Sequence, residues 1–344
     1  MVGLFLLAVN DAALIEAIEL GLNEYYPQAI ALVDEQLKVD PTSPEAMLVK
    51  AIILDYMMDD LGTSKYEKEF FSLIDGVIEH AKPLVHSDRR AWGYFLMGAA
   101  YSYRAFRYGK KGIYLPVLSD MTNALDYMNK ALALDSTLYD AYLAIGIYNY
   151  ASDEFPRLVK IMLRVGDTKK RKELGIQQLE LAAQKAHYVK DLVKFTLGYI
   201  YMKEKRYRDA YRILKQLYEK YDHSRIVRWE YGKVLRRLGR WKEAEVVYDE
   251  LLYLMLNREN FNKYYVALAS YYLAYAKYMN RKYDKAKQYA MFAYLTALEH
   301  MNDKNMKKLL PYVERLISRI NRYVKNSAPE GGDGQTGKTR GSSD

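Results

Sequence analysis

The sequence contains no cysteine in its 344 residues. That absence excludes disulfide bonds, thiolate metal sites and a cysteine nucleophile, but it does not identify a compartment, because exported proteins can also lack cysteine. No segment reaches the roughly 20 apolar residues that a membrane-spanning helix needs. None of the five histidines stands at a zinc-ligand spacing from another, so we expect neither a metal site nor a cofactor.

The sequence also has few basic residues at its N-terminal end. Residues 1–80 contain 4 Lys and Arg against 15 Asp and Glu, a balance of −11, whereas the remainder contains 48 against 28, a balance of +20. Such polarity can steer a charged partner by long-range attraction. Solvated helix faces of opposite sign at the two ends would give the same pattern, so charge alone leaves both interpretations open.

What the sequence does contain is a repeat. Residues 191–224 and 225–258 align without a gap at a spacing of 34, so that Gly198 corresponds to Gly232. At the same offset other residues recur in pairs, namely Leu197 and Tyr231, Tyr201 and Leu235, Tyr207 and Trp241, and Ala210 and Ala244. A 34-residue unit of this kind is typical of paired helices that stack into a solenoid. It favours a binding surface over a reaction centre.

The small-residue position of this repeat can be followed along most of the chain. It is occupied by Ala17, Ala51, Gly98, Gly146, Gly198, Gly232 and Ala274, at spacings of 34, 47, 48, 52, 34 and 42 residues. The excess over 34 predicts insertions near residues 52–75, 106–119, 151–172 and 252–266, as loops or lengthened helices. A second small residue should let helix B of each unit approach helix A closely, at Ala29, Ala124, Gly175, Ala210, Ala244 and Ala286.

These positions resemble the tetratricopeptide repeat pattern W-x2-L-G-x2-Y…A-x3-F…P. The best copy consists of Trp229, Tyr231, Gly232, Leu235, Trp241, Ala244 and Tyr248. The resemblance covers residues 10–300 and implies an all-α fold, an α-α superhelix of about seven helix pairs. Residues 139–185 also resemble a group of tetratricopeptide proteins with a proline-containing hydrophobic hairpin in one repeat. That second resemblance favours export but implies no activity.

The two ends of the chain fall outside the repeats. Val2 to Val9 form an apolar run, which is either a lid on the first repeat or the remnant of an export signal. The chain as it stands predicts a cytoplasmic protein, and the export interpretation predicts a periplasmic or exported one. Residues 301–325 should form a helix that caps the array. Residues 326–344 contain no large apolar residue and should be disordered.

In this repeat helix A lines the inner face, so residues at helical spacing along each helix A should form a groove. An aromatic stripe flanked by Lys and Arg suits a peptide, since Trp, Tyr and Arg dominate binding hot spots. The predicted groove residues are Trp92, Phe95, Tyr103, Tyr150, Phe195, Tyr199, Trp229, Lys233, Arg236, Tyr271, Tyr275 and Tyr278. An apolar insertion could instead fill the groove and make these residues ordinary core; its members are Phe155, Pro156, Leu158, Val159 and Met162.

One motif suggests an enzyme but lacks the structure that it needs. Gly332 to Thr339 read GDGQTGKT, which satisfies the phosphate-binding pattern G-x-x-x-x-G-K-[ST]. A working site needs a strand before the loop, a helix after it and an Asp for magnesium. Low-complexity sequence precedes this match and only five residues follow it. We interpret the match as chance and expect no catalysis.

The sequence therefore predicts a non-catalytic scaffold that binds a peptide or protein partner through an aromatic and basic groove. Two alternatives stay open: a cell-envelope assembly or lipid-handling factor that uses residues 155–165 at an interface, and an RNA-binding helical repeat. Nucleic acid is the less favoured partner, because the tyrosines fall largely at packing positions and basic residues are interspersed with acidic ones. A homo-oligomer and a peripheral contact with an envelope also stay open.

Overall fold

The computed structural model describes residues 10–155, 157, 160, 166–258 and 262–327. The regular secondary structure of these residues is entirely helical, with 15 α-helices and no strand. The helices fall into two compact units, which divide between Leu238 and Gly239. The all-α fold predicted from the repeat is thereby confirmed.

The first unit is a series of helical hairpins. Its helices are α1 (Asp11–Leu22), α2 (Tyr26–Val39), α3 (Pro44–Leu61), α4 (Glu67–Ala81), α5 (Arg90–Lys110), α6 (Tyr114–Leu134), α7 (Ala141–Ala151), α8 (Thr168–Lys185), α9 (Lys190–Lys203), α10 (Tyr207–Lys220) and α11 (Arg225–Arg237). Short 3₁₀ segments cover Pro83–His86 and Ser152–Glu154. The helices α5 and α6 are longer than α9 and α10, so the insertion near residues 106–119 lengthens helices rather than forming a loop.

Each helix of the first unit packs against the next one in the chain, and alternate helices also pack against each other. These second contacts join α1 to α3, α3 to α5, α5 to α7 and α9 to α11. A solenoid has this double set of neighbours, because the first helices of successive hairpins form one layer and the second helices another. We call the layer of first helices (α1, α3, α5, α7, α9 and α11) the A layer.

The small residues of the repeat lie where the two helices of a hairpin approach most closely. A Cβ atom added at Gly198 would lie 2.6 Å from Leu214 Cδ2. The crossing of α7 with α8 is equally tight, since a Cβ atom at Gly175 would lie 2.5 Å from the carbonyl oxygen of Gly146. Close approach of the helices is therefore the physical reason for the glycines that mark the repeat.

Four hairpin turns of the first unit place one residue in the left-handed backbone region, where glycine is least strained. Gly62 and Gly112 adopt it at φ 61° and 71°. Glu24 and Lys205 also adopt it, at φ 65° and 59°, in the α1–α2 and α9–α10 turns. A side chain at such a position costs on the order of 1 kcal/mol. Glu24 and Lys205 are therefore present despite a conformational penalty.

The second unit contains α12 (Trp241–Leu256), α13 (Lys263–Met279), α14 (Tyr283–Glu299) and α15 (Lys304–Ser327). The last of these covers the helix that the sequence predicts near residues 301–325. Its apolar positions are buried and pack against α13 and α14; they are Met306, Leu309, Val313, Leu316 and Ile320. The basic residues of α15 lie on its exposed side.

Within the second unit, Glu245 of α12 joins α13 to the turn that follows it. Its carboxylate accepts hydrogen bonds from Lys277 Nζ at 2.9 Å, Asn280 Nδ2 at 2.7 Å and Lys282 Nζ at 2.8 Å. Burial alone would raise the pKa of Glu245, but the hydrogen bonds from Lys282, Lys277 and Asn280 lower it to about 2. The buried Lys277 thereby has the counter-charge that a buried cation requires.

Replacing Gly175 with Ala should lower the free energy of unfolding by about 2–3 kcal/mol, because the new methyl group meets backbone atoms that cannot rotate away. Gly109 is the matched control, since it is also helical but its added Cβ atom would meet only Val117 Cγ2, at 3.9 Å. Gly109→Ala should be neutral or stabilise by up to about 1 kcal/mol. Urea unfolding followed by circular dichroism measures both variants. Equal midpoints would contradict the role given to close helix approach.

Candidate functional site

The predicted groove residues lie on helices that the repeat assigns to the inner face. In the first unit they belong to α5, α7, α9 and α11, which are all in the A layer, and in the second unit they belong to α13. Their surroundings differ from one hairpin to the next. Only part of the predicted stripe therefore presents a surface to solvent.

The stripe is covered on α5. Trp92 stacks on Phe95 with 4.8 Å between ring centroids, and its Nε1 donates to Glu45 at 2.7 Å. The Tyr188 ring lies 5.7 Å from Trp92, and the Tyr188 hydroxyl donates to Asp11 of α1 at 2.6 Å. Tyr188 thus links α1 to α5. Because Phe95 is also buried, these aromatic residues form core at this point and not an open groove.

A buried carboxylate fixes the position of Tyr188. Asp140, which is 7% exposed, accepts the backbone N–H groups of His187, Tyr188 and Val189 at 2.9, 2.7 and 2.9 Å. Three hydrogen bonds to one carboxylate hold the loop before α9 firmly against the start of α7. These hydrogen bonds therefore fix the loop in a position from which Tyr188 reaches α1.

Two further predicted residues belong to the packed interior. The hydroxyl of Tyr103 is buried, and burial raises its pKa. Tyr150 is 7% exposed and donates its hydroxyl to Glu204 at 2.8 Å. Burial, and then the Glu204 carboxylate, raise the pKa of Tyr150. On α5 and α7 the stripe is therefore part of the core, in contact with Tyr188 and Glu204. The alternative that the insertion element fills the groove concerns residues that lie largely outside the described ones.

The stripe is open on α9 and α11. Tyr199 is 54% exposed, the most accessible of the predicted aromatic residues. Lys233 Nζ pairs with Glu230 at 2.7 Å and lies 5.9 Å from the centroid of the Trp229 ring. The partly exposed members are Phe195, Trp229, Lys233 and Arg236. We call these four residues together with Tyr199 the open stripe.

The tyrosines of α13 form a separate group in the second unit. The rings of Tyr275 and Trp241 lie 5.4 Å apart, and the ring of Tyr278 lies 5.8 Å from that of Tyr323 on α15. Tyr271 packs against the buried residues of α14 and α15. All three tyrosines of α13 are half-buried, and α15 covers part of the face that they form.

Only one member of the predicted insertion element can be placed. The Phe155 ring lies 5.8 Å from that of Tyr148 at the end of α7. The other members, Pro156, Leu158, Val159 and Met162, lie outside the described residues. So do residues 1–9 and the phosphate-binding match at 332–339.

The first hairpin contacts the start of α11, although 200 residues separate Asn23 from His223. Asn23 Oδ1 accepts the backbone N–H of His223 at 2.8 Å, and Asn23 Nδ2 donates to Asp222 Oδ1 at 2.9 Å. The Tyr25 ring lies 5.0 Å from the His223 imidazole. A repeat in a solenoid ordinarily touches only its neighbours. These contacts therefore close the first unit on itself.

Arg225, the first residue of α11, lies at the centre of this closure. Its backbone N–H and its Nε donate to Glu24 at 2.7 and 2.6 Å, and its Nη2 donates to Asp60 of α3. The side chains of Arg225, Glu24 and Asp60 are 12%, 10% and 18% exposed. Lys220 adds a more exposed ion pair with Glu19. We call the contacts among Asn23, Glu24, Asp60, Asp222, His223 and Arg225 the clasp.

Burial and ion pairing shift the pKa values of the charged groups of the clasp in opposite directions. Burial raises the pKa of Glu24 and of Asp60, although Arg225 acts in the opposite direction on both. Burial alone would lower the pKa of Arg225, but Glu24 and Asp60 raise it. Because two carboxylates share one guanidinium, removing Arg225 leaves like charges together in a desolvated site.

The clasp explains part of the charge asymmetry of the sequence. Glu19, Glu24 and Asp60 belong to the acidic N-terminal part, whereas Lys220 and Arg225 belong to the basic remainder. The sequence pattern indicates a partner or solvation as the reason for that asymmetry and does not reveal pairing within the chain. A non-glycine residue in the α1–α2 turn is no signal of the clasp, since Lys205 has the same backbone conformation in the α9–α10 turn and lies outside the clasp.

Loss of Arg225 should cost more stability than loss of Glu24. Arg225→Ala removes the guanidinium that two buried carboxylates share and should lower the free energy of unfolding by about 3–5 kcal/mol. Glu24→Ala leaves Arg225 paired with Asp60 and should cost only about 1–2 kcal/mol. Urea unfolding of the full chain measures both losses.

Two variants serve as controls for these losses. Arg212 forms an ion pair with Asp209 but its side chain is 75% exposed, and Lys205 has the same left-handed turn conformation as Glu24. Arg212→Ala and Lys205→Ala should each cost less than about 1 kcal/mol. An equal effect of Arg225→Ala and Arg212→Ala would contradict the clasp.

Comparison with known proteins supports a repeat architecture. The family model described as tetratricopeptide repeat matches residues 201–261. No curated protein shows significant sequence similarity to the chain.

Several solved structures are similar in fold. The chain resembles a subunit of the APC/C hetero-tetramer Cut9–Hcn1, with 16% identity, a TM-score of 0.47 and coverage of 87% of this chain but 47% of that one. It resembles a thermophilic TPR protein from Thermus thermophilus, with 19% identity, a TM-score of 0.37 and coverage of 64% and 97%. It also resembles the C-terminal part of a TPR repeat-containing protein from Cytophaga hutchinsonii, with 18% identity, a TM-score of 0.43 and coverage of 86% and 98%.

The described part of the chain has neither a helix with the length and apolar character to cross a bilayer nor a group of His, Asp and Glu side chains placed to hold a metal ion. The solved structures are less than 25% identical to the chain and have TM-scores below 0.5, so they do not assign a family. The assignment depends on the repeat match and on the helical hairpins. On those two observations, the chain is a tetratricopeptide repeat protein.

Proposed function

We propose that this protein is a non-catalytic scaffold that binds a peptide segment of a protein partner through the open stripe. The observation that carries the proposal is the exposure of Tyr199, at 54%, between partly exposed residues of two neighbouring A-layer helices. A tyrosine offers a large contact area at a small cost in conformational entropy, which is why it is frequent at binding hot spots.

The charges beside Tyr199 indicate what kind of peptide would fit. Lys233 is balanced in part by Glu230, at 2.7 Å, and Arg236 adds a second cation one turn further along α11. A peptide with an apolar or aromatic residue next to an acidic one would bury its ring against Tyr199 and Trp229. Its carboxylate would then approach the cations of α11.

Selection from a random peptide library against the full-length protein tests this proposal. Enriched peptides should combine an apolar and an acidic residue, and Tyr199→Ala should weaken their binding at least about tenfold. The double variant Lys233→Glu with Arg236→Glu should abolish it. Tyr114→Ala, at an exposed tyrosine outside the stripe, and Lys215→Glu are the controls. Peptides that bind all these variants equally would refute the proposal.

A second candidate function, contact with a membrane surface, is favoured by the tip of the α5–α6 hairpin. Tyr114 and Leu115 at the start of α6 are 75% and 82% exposed, and Phe106 in the last turns of α5 is 58% exposed. The helices α5 and α6 have 21 residues each, against 14 in α9 and α10. The extra residues lengthen each helix by about 10 Å. Exposed aromatic and aliphatic residues at a projecting tip suit the interfacial region of a bilayer.

The tip should bind lipid through apolar contact and not through charge. Lys110 pairs with Asp55 and Asp59, and Lys111 pairs with Glu67, so the nearby cations are neutralised. Sedimentation with phosphatidylcholine vesicles should therefore show weak binding that changes little with salt. Tyr114→Ser with Leu115→Ser should reduce the bound fraction at least about fivefold, whereas Tyr253→Ser should not. Absence of binding by the unmodified protein would exclude this candidate.

A further inference from the structure

We propose that the N-terminus of α11 is a binding site for the carboxylate of an acidic turn in a partner protein, and that Glu24 occupies this site within the chain. The clasp would then be an internal ligand, and a partner would compete with it. The inference depends on the proposed function for the partner being a protein. It concerns a different surface from the open stripe.

The start of α11 lacks the capping that a helix usually supplies from its own sequence. Ser224 stands at the N-cap position, where its hydroxyl would ordinarily accept a backbone N–H of the first turn. It makes no such bond. Ser224 is completely buried, and its Oγ has no hydrogen-bond partner among the described residues. The first turn of α11 also contains no acidic residue. The helix end is therefore open to an anion from elsewhere.

Glu24 supplies that anion with the geometry of a ligand. Its Oε1 accepts the backbone N–H of Arg225 at 2.7 Å, and its Oε2 accepts Nε of the same residue at 2.6 Å. The N-terminus of a helix attracts negative charge through its free N–H groups and its dipole. The neighbouring Asn23 contacts the backbone just before α11, since its side-chain oxygen accepts the N–H of His223 at 2.8 Å. An amide followed by a carboxylate is thus what the site recognises.

The contact can be displaced without unfolding the first hairpin. Helices α1 and α2 are held by α3 through their own apolar core, which includes Leu14, Ala17, Val33 and Ile53. Glu24 lies outside this core, at the tip of the turn between the two helices. A competing carboxylate would therefore replace the clasp contacts and leave the packing of the hairpin intact. Solenoids tolerate such a change, because a small change at each repeat interface alters their curvature.

Opening the clasp would also break the second contact between the first hairpin and a distant loop. The Tyr188 hydroxyl donates to Asp11 of α1 from the loop before α9. Asp140 holds that loop against the start of α7, so Tyr188 would stay on Trp92 and lose only its hydrogen bond to Asp11.

The absence of cysteine allows the clasp to be followed with two spin labels. Gln28 and Gln216 are exposed and lie outside the clasp, so Gln28→Cys and Gln216→Cys in the full chain report the distance between α2 and α10. The probe is a synthetic peptide of residues 20–28, LGLNEYYPQ. Excess peptide should lengthen the distance in the otherwise unmodified protein, and the same peptide with Ala in place of Glu should not.

Removal of the internal ligand gives the sharper comparison. Glu24→Ala keeps the contact of Arg225 with Asp60 but frees the backbone N–H of Arg225. This variant should therefore bind the peptide at least about tenfold more tightly than the unmodified protein, because the carboxylate that competes for this N–H is removed. Adding Arg225→Ala to that variant should abolish binding. Lys205→Ala, at the equivalent turn of the α9–α10 hairpin, should behave as the unmodified protein.

The outcomes separate this inference from the proposed function. If Glu24→Ala keeps its helical circular dichroism but binds the peptide no better than the unmodified protein, the carboxylate site is refuted. Tighter binding of the peptide by Glu24→Ala, together with equal affinity of the library peptides for Tyr199→Ala and the unmodified protein, would support the carboxylate site and refute the open stripe. A distance that is unchanged when excess peptide is added to the otherwise unmodified protein would refute the competition between clasp and partner.

Discussion

The closed form of the first unit depends on one buried cation, the guanidinium of Arg225 between the carboxylates of Glu24 and Asp60. A buried charge is costly without a counter-charge, and α11 itself offers none in its first turn. The first two hairpins provide both carboxylates. Hairpins that touch only their neighbours would leave the curvature of the array free to vary. The clasp fixes the curvature of the first unit, because Arg225 must stay within hydrogen-bond distance of Glu24 and Asp60.

That curvature determines which part of the aromatic stripe can act as a surface. With α1 drawn towards the loop before α9, Tyr188 joins Asp11 to Trp92, and the stripe on α5 becomes interior. On α9, by contrast, Tyr199 stays exposed, and on α11 Trp229, Lys233 and Arg236 are partly exposed. The same repeat position therefore has two roles in one chain. Its role in each hairpin depends on tertiary contacts and not on residue type.

The local features of the fold could be predicted from the sequence. Gly198 and Gly146 mark close helix crossings, and Ser43 with Pro44 marks the start of α3, where Ser43 Oγ caps Ala46 at 3.2 Å. Each of these depends on residues within one hairpin. The clasp could not be predicted, because no period relates Glu24 to Arg225. The sequence also left open whether Tyr150 and Phe95 belong to a groove or to the core, since helical spacing identifies a face but not what lies against it.

The backbone amide of Arg225 tests this account most directly. As the first residue of α11 it has no acceptor within its helix, and its N–H donates to Glu24. Native-state hydrogen exchange should show this amide protected at every protein concentration in the unmodified chain and unprotected in Glu24→Ala. The amide of Leu214 within α10 should stay protected in both. Free exchange of the Arg225 amide in the unmodified chain would contradict the closure of the first unit.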